Sequence, residues 1–133
     1  MLKGIVDTNI VIYFSRGLTD GEWLRKELDT HSKEFGISVI TEAELFAKSH
    51  LEPEERMMLD QCLLEFMIIP VDSTIARWGA LYRARYKMRL GDSLIAATAR
   101  TLDLPLWTYN VKDFQKIQGL IIQQPDVTLE ERQ

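Results

Sequence analysis

Short apolar runs, recurring between longer stretches of helical periodicity, constrain this chain more than any other feature. Leu2–Val6, Glu34–Val39, Met67–Val71 and Leu104–Thr108 each have the length and content of a buried strand, and Gly119–Gln123 is a candidate fifth. Between them the apolar residues fall at helical spacing. Thr8–Ser15 carries Ile10, Val11, Ile12 and Phe14, and Gly17 ends it. The sequence Thr19-Asp20-Gly21-Glu22 has the form of a capping box, predicting a second helix to about His31. Thr41-Glu42-Ala43-Glu44 opens a third helix, and Pro53 suits the first position of a fourth. Thr74 to about Met88 reads as a fifth helix, Leu94 to about Leu102 as a sixth. Short buried strands alternating with helices imply crossover connections. The predicted fold is therefore α/β, a three-layer α/β/α arrangement with a mainly parallel sheet of four to five strands. A length of 133 residues suits a single domain over residues 1–133. From Pro125 onward the chain is polar and is predicted to be loosely held.

Composition narrows the chemistry. With 46% hydrophobic and 27% charged residues the chain is an ordinary globular protein. Cys62 is the one cysteine, which removes intrachain disulfides and cysteine-based zinc sites, and His31 and His50 form no histidine cluster. Met1-Leu2-Lys3-Gly4 leads directly into the first strand, and no apolar run approaches membrane-spanning length. The expectation is a soluble, cytoplasmic protein with no membrane partner. A net charge of −4 argues against a general nucleic-acid coat protein. It leaves room for a local basic patch, since Arg83, Arg85 and Lys87 lie between Arg77 and Arg89 with no acid among them. On a continuous helix Arg85 and Arg89 would share a face, as would Arg83 and Lys87. Trp78, Tyr82 and Tyr86 recur every fourth residue there, a stripe more typical of a core or dimer face than of a base-stacking platform.

Four acids hold comparable places in this scheme. Asp7 follows the first strand, Glu44 lies in the first turn of the third helix, Asp92 opens the sixth and Asp113 sits in the turn after the fourth strand. Each has a structural alternative. Asp7 and Asp92 could cap the helices they precede, Glu44 could complete a capping box with Thr41, and Asp113 could cap the turn around Phe114. Together they say more, because strand tips and helix starts on one side of a parallel sheet converge. Carboxylates gathered there repel one another unless a cation neutralises them. Oxygen-only donors suit Mg²⁺ or Mn²⁺. Such a site can deprotonate a bound water and stabilise charge on a phosphodiester under attack. Thr8, Asn9, Thr108 and Asn110 stand beside the acids, where they could orient carboxylates, turn chemistry being the alternative for the two asparagines.

The stretches Val6-Asp7-Thr8-Asn9, Ile40-Thr41-Glu42-Ala43-Glu44-Leu45, Gly91-Asp92-Ser93-Leu94-Ile95-Ala96-Ala97-Thr98-Ala99 and Leu106-Trp107-Thr108-Tyr109-Asn110 with Asp113-Phe114 resemble the PIN-domain ribonucleases. Within them the chain is similar to VapC-type toxins of toxin–antitoxin pairs. The resemblance runs over nearly the whole chain, in the family's order. It implies that the family's acids fall on Asp7, Glu44, Asp92 and Asp113, with Thr108 and Asn110 beside them. Glu42 competes for the second position, but Glu44 immediately precedes Leu45, as in the family's Glu-Leu pair. Two departures, Ala47-Lys48 after that pair and Tyr109 between Thr108 and Asn110, bear on substrate choice rather than on metal ligands.

The resulting expectation is a Mg²⁺- or Mn²⁺-dependent endoribonuclease. Asp7, Glu44, Asp92 and Asp113 would hold the metal and a hydrolytic water, leaving a 5′-phosphate and a 3′-hydroxyl. The resemblance also implies a homodimer and a cognate antitoxin that occupies the substrate groove. Arg83, Arg85, Lys87 and Arg89, with Arg77, are candidate contacts to RNA phosphates, a solvated helix face being the alternative. Three rivals stand: a catalytically silent PIN-like module that binds RNA or protein, a DNA-directed or flap-type nuclease, and a phosphatase using Asp7 as nucleophile. The last lacks the second aspartate two residues on, where Asn9 stands.

Overall fold

The computed structural model describes residues 1–48 and 50–125. Expectations for the tail from residue 126 lie outside the described residues. Five strands, β1 (Gly4–Val6), β2 (Phe35–Ser38), β3 (Met67–Ile69), β4 (Leu106–Trp107) and β5 (Ile122–Gln123), form one sheet in the order β3-β2-β1-β4-β5. Every pairing is parallel. Seven α-helices cover it among the described residues: α1 (Thr8–Ser15), α2 (Glu22–His31), α3 (Val39–Phe46), α4 (Pro53–Leu63), α5 (Ser73–Tyr86), α6 (Leu90–Thr101) and α7 (Val111–Phe114). This is the expected three-layer α/β/α fold.

The pleat divides the core between the two faces of the sheet. Ile5 and Leu106 pack with Ile95, Ala96, Ala97 and Phe114 on the side of α5 and α6. Val6, Phe35 and Ile37 pack with Ile10, Val11, Leu24 and Leu45 on the side of α1 to α4. Ala96, Ala97 and Ala99 are completely buried, so α6 lies against the sheet with almost no side-chain thickness between them. Strand order reverses direction between β1 and β4, the place where ligand crevices form in open parallel sheets.

Element identities match the reading of the sequence, whereas several ends differ for identifiable reasons. The strands are shorter, because pairing covers only part of each apolar run. The predicted capping box at Thr19 does not form. Thr19–Gly21 is a turn of 3₁₀ helix, and Gly21 stands at the N-cap of α2 without a side-chain bond. A side chain at Gly21 would run into the backbone of Phe14, which explains the glycine. Thr41 does not cap α3 either: Ser38 does, accepting from the Ile40 N–H at 3.0 Å, and α3 starts at Val39. Helix α6 begins at Leu90 rather than Leu94, capped at Arg89, so Asp92 lies inside its first turn and is not a cap. Lys87 adopts a left-handed conformation (φ 55°) that ends α5, and the predicted common face of Arg85 and Arg89 is broken there.

Candidate active site

Asp7 is the residue immediately after β1, and Thr108 immediately follows β4, so the two meet across the switch point. The Thr108 hydroxyl donates to Asp7 Oδ2 at 2.8 Å, and the Thr8 N–H donates to Asp7 Oδ1 at 2.8 Å. The Asn110 N–H donates in turn to Thr108 Oγ1 at 2.9 Å, which fixes the hydroxyl that holds Asp7. Asp7 therefore does cap α1 through Oδ1, while Oδ2 takes the Thr108 hydroxyl. It is 5% exposed. Burial pushes its carboxyl up to about 6; the bonds from Thr108 and Thr8 pull it down, and the charges of Asp92 and Glu44 push it up further.

Glu44 reaches the same edge from α3. The Thr8 hydroxyl donates to Glu44 Oε1 at 2.6 Å, and Thr8 Oγ1 lies 2.9 Å from Thr41 Oγ1. Thr8 has one hydroxyl proton and gives it to the carboxylate, so Thr41 donates to Thr8. The other carboxylate oxygen lies against the first turn of α6, where a Cβ on Gly91 would stand 2.9 Å from Glu44 Oε2. Here the positive end of the helix dipole faces the carboxylate. Glu42, the competing candidate, makes no such bond among the described residues.

Asp92 is held up from the usual carboxylate range by burial. Arg89 opposes that rise, and the charges of Glu44 and Asp113 add to it. Asp113 accepts from the Asn110 side-chain amide at 2.8 Å and is exposed. The four carboxylates are thus electrostatic neighbours: Asp7 feels Asp92 and Glu44, and Asp92 feels Glu44 and Asp113. Among the described residues no three of these side chains already form a closed metal-coordinating group. The donor set is all oxygen and all anionic, and neighbouring carboxylates add to the rise of Asp7 and Asp92, which is the chemistry that suits a hard divalent cation.

Of the neighbours expected from the sequence, Thr8, Thr108 and Asn110 are hydrogen-bonded into the site, whereas Asn9 is exposed and donates to none of the acids among the described residues. Arg83, Lys87 and Arg89 line one hollow, and Arg85 faces another. Thr41 and Gly91 were missed. The signal for Thr41 was available, because Thr41 and Glu44 are three apart in a helix and share a face. Gly91 entered the reading only as the first residue of the motif that carries Asp92. Cys62 is buried, and burial pushes its thiol up to about 12, so it is no nucleophile.

The PIN-domain family model matches residues 4–120. The chain belongs to the PIN-domain family. This PIN domain is 34% identical over 125 residues to ribonuclease VapC10 of Mycobacterium tuberculosis, covering 87% of this chain and 89% of that one. A toxin–antitoxin complex from Klebsiella pneumoniae contains a chain 33% identical to it, with a TM-score of 0.69, covering 94% of this chain and 99% of that one. The DNA-bound VapBC from Salmonella typhimurium gives a TM-score of 0.82 at 25% identity, over 95% of this chain and 100% of that one. Both the motif order and the fold expected from the sequence are those of the PIN domain.

Proposed function

We propose that this PIN domain is a divalent-metal-dependent endoribonuclease of the VapC type, acting in the cytoplasm as the toxin of a toxin–antitoxin pair, with residues 1–133 working as one nuclease domain. The observation that carries the reading is the Asp7 carboxylate. It is held from both sides by Thr8 and Thr108, buried, and within electrostatic range of Glu44 and Asp92. Asp7, Glu44, Asp92 and Asp113 are the residues that would hold Mg²⁺ or Mn²⁺. A bound divalent ion supplies neutralisation of the clustered charge and a lowered pKa for water at neutral pH.

The chain's own side chains do the rest. Thr108 and Thr8 keep Asp7 ionised and oriented, and Thr41 through Thr8 keeps Glu44 turned inward. Asn110 positions Asp113. The first turn of α6 presents its positive end to the phosphate under attack. A water attacking phosphorus, in place of the ribose 2′-hydroxyl, with the bond from phosphorus to the 3′-oxygen breaking, leaves a 5′-phosphate and a 3′-hydroxyl.

The proposed partners are RNA, a cognate antitoxin and a second copy of the chain. A hollow of about 320 Å³ opens beside Glu44, with Ile12, Leu45, Met58 and Leu59 in its walls and Arg16, Lys48 and Glu55 among them, and suits an antitoxin segment that covers the groove. The test is incubation of purified protein with mixed RNA and DNA substrates, with and without EDTA, alongside Asp7→Asn. RNA cleavage that EDTA and Asp7→Asn both abolish is expected. Cleavage unaffected by chelation, or preserved in Asp7→Asn, overturns the metal assignment. No cleavage by wild type with metal present returns the chain to a binding module.

A further inference from the structure

A hollow of about 580 Å³ outside the carboxylate site lies between α5 and the C-terminal end of α6. Its composition is unusual for a chain of net charge −4. Three rings from α5 form a ladder along it: Trp78 to Tyr82 and Tyr82 to Tyr86 are separated by 6.0 and 6.1 Å between centroids. Tyr82 is buried as the floor, while Trp78 at the rim is 48% exposed. Arg85 and Arg100 supply positive charge, and no acid lines the hollow. Neither guanidinium makes an ion pair or side-chain hydrogen bond among the described residues.

Arg100 is seated rather than waving in solvent. Gly119 has φ +84° and no side chain, and a Cβ there would stand 2.7 Å from Arg100 Nε. The guanidinium lies across bare backbone at the edge of the hollow. The whole segment between Asp72 and Asp92 is free of acids, so nothing on α5 competes for either arginine.

We infer that this hollow is a docking site for single-stranded RNA, apart from the carboxylates, in which a base stacks on Trp78 while Arg85 and Arg100 hold backbone phosphates. The inference rests on the ribonuclease reading for its choice of ligand. Ring faces beside unpaired cations are the combination that binds single strands without sequence preference. An apolar protein partner would bury two guanidiniums without counter-charge, an expensive arrangement. Asp92 and Arg100 lie on the same helix, eight residues apart, or about 12 Å along its axis. An RNA chain reaching from the carboxylates to the hollow has that short span to cover and passes over α5, since α6 is buried from Ser93 to Ala99.

The experiment uses the full chain carrying Asp7→Asn to prevent cleavage, with a fluorescein-labelled unstructured RNA oligonucleotide followed by anisotropy over a salt series. Trp78→Ala with Arg100→Gln should weaken binding about tenfold. The slope of log K against log salt should fall by about 0.7, since one phosphate is no longer neutralised. Trp78→Phe should keep most of the affinity. With Asp7 intact, the double variant should raise KM for a long RNA and leave kcat in place, with an unchanged circular dichroism spectrum and melting temperature. Unchanged affinity and salt slope overturn the inference. So does a change of oligomeric state by light scattering without a change in RNA affinity, which would assign the hollow to a protein interface. Failure here leaves cleavage by the wild type intact, whereas failure of the ribonuclease reading appears as wild type that does not cut RNA.

Discussion

A buried, ionised aspartate works against the fold that contains it. The carboxyl of Asp7 rises from its ordinary value to about 6. Folded protein therefore binds that proton more tightly than unfolded protein. Stability falls as pH rises from about 4 to about 6, and above that window the deficit is complete, on the order of 3 kcal/mol. Asp7→Asn should accordingly raise the melting temperature of metal-free protein at about pH 7.5, leave it near wild type at about pH 4, and abolish cleavage. Divalent metal should stabilise wild type in the same melts and leave the variant unmoved. The apparent affinity for metal should weaken as pH drops through about 6, because protons then compete for Asp7. Gly91 offers a sharper contrast. Alanine is the better helix residue there by up to about 1 kcal/mol, yet its Cβ would stand 2.9 Å from Glu44 Oε2 and must turn that carboxylate away. Gly91→Ala should melt at or above the wild-type temperature while losing metal affinity, read by isothermal titration, and most of its cleavage rate.

At the level of elements, the joint between α5 and α6 decides where Asp92 stands. Lys87 closes α5 in a left-handed conformation that glycine adopts without strain. Lys87→Gly should raise stability by about 0.5–1 kcal/mol, a melting shift of a few degrees, and should not move the metal affinity of the carboxylates. Ala97 is completely buried between α6 and the sheet. Ala97→Leu should cost about 1–3 kcal/mol in chemical denaturation by overpacking, and should lower cleavage by displacing the helix that carries Asp92. The same joint shows the limits of the sequence. Strands were legible because each apolar run ends where backbone polar groups need new partners, as at Val6-Asp7 and Trp107-Thr108. The start of α6 was not, because Gly91 looks like a breaker when its purpose is to admit the Glu44 carboxylate. Nor was the split of the arginines. Spacing alone puts Arg89 on the face of Arg85, and a single left-handed residue at Lys87 sends it instead to the hollow of Arg83 and Lys87. That the acids meet on one sheet edge was legible, as they follow strands or start helices there, while Thr41 was passed over because it resembles a cap.

For the whole molecule, the decisive arrangement is that the first strand of the chain lies at the centre of the sheet, between β2 and β4. The hydrogen bond from Thr108 to Asp7 joins residues 101 positions apart, and the Asp7 N–H bonds the Trp107 carbonyl at 2.9 Å from the same late strand. During synthesis on the ribosome, a growing polypeptide that has not yet emerged through Thr108 has no partner for either group. A nuclease wired in this way is harmless to the message being translated until that late strand has emerged and closed against the first. Only then can a waiting inhibitor meet it already folded.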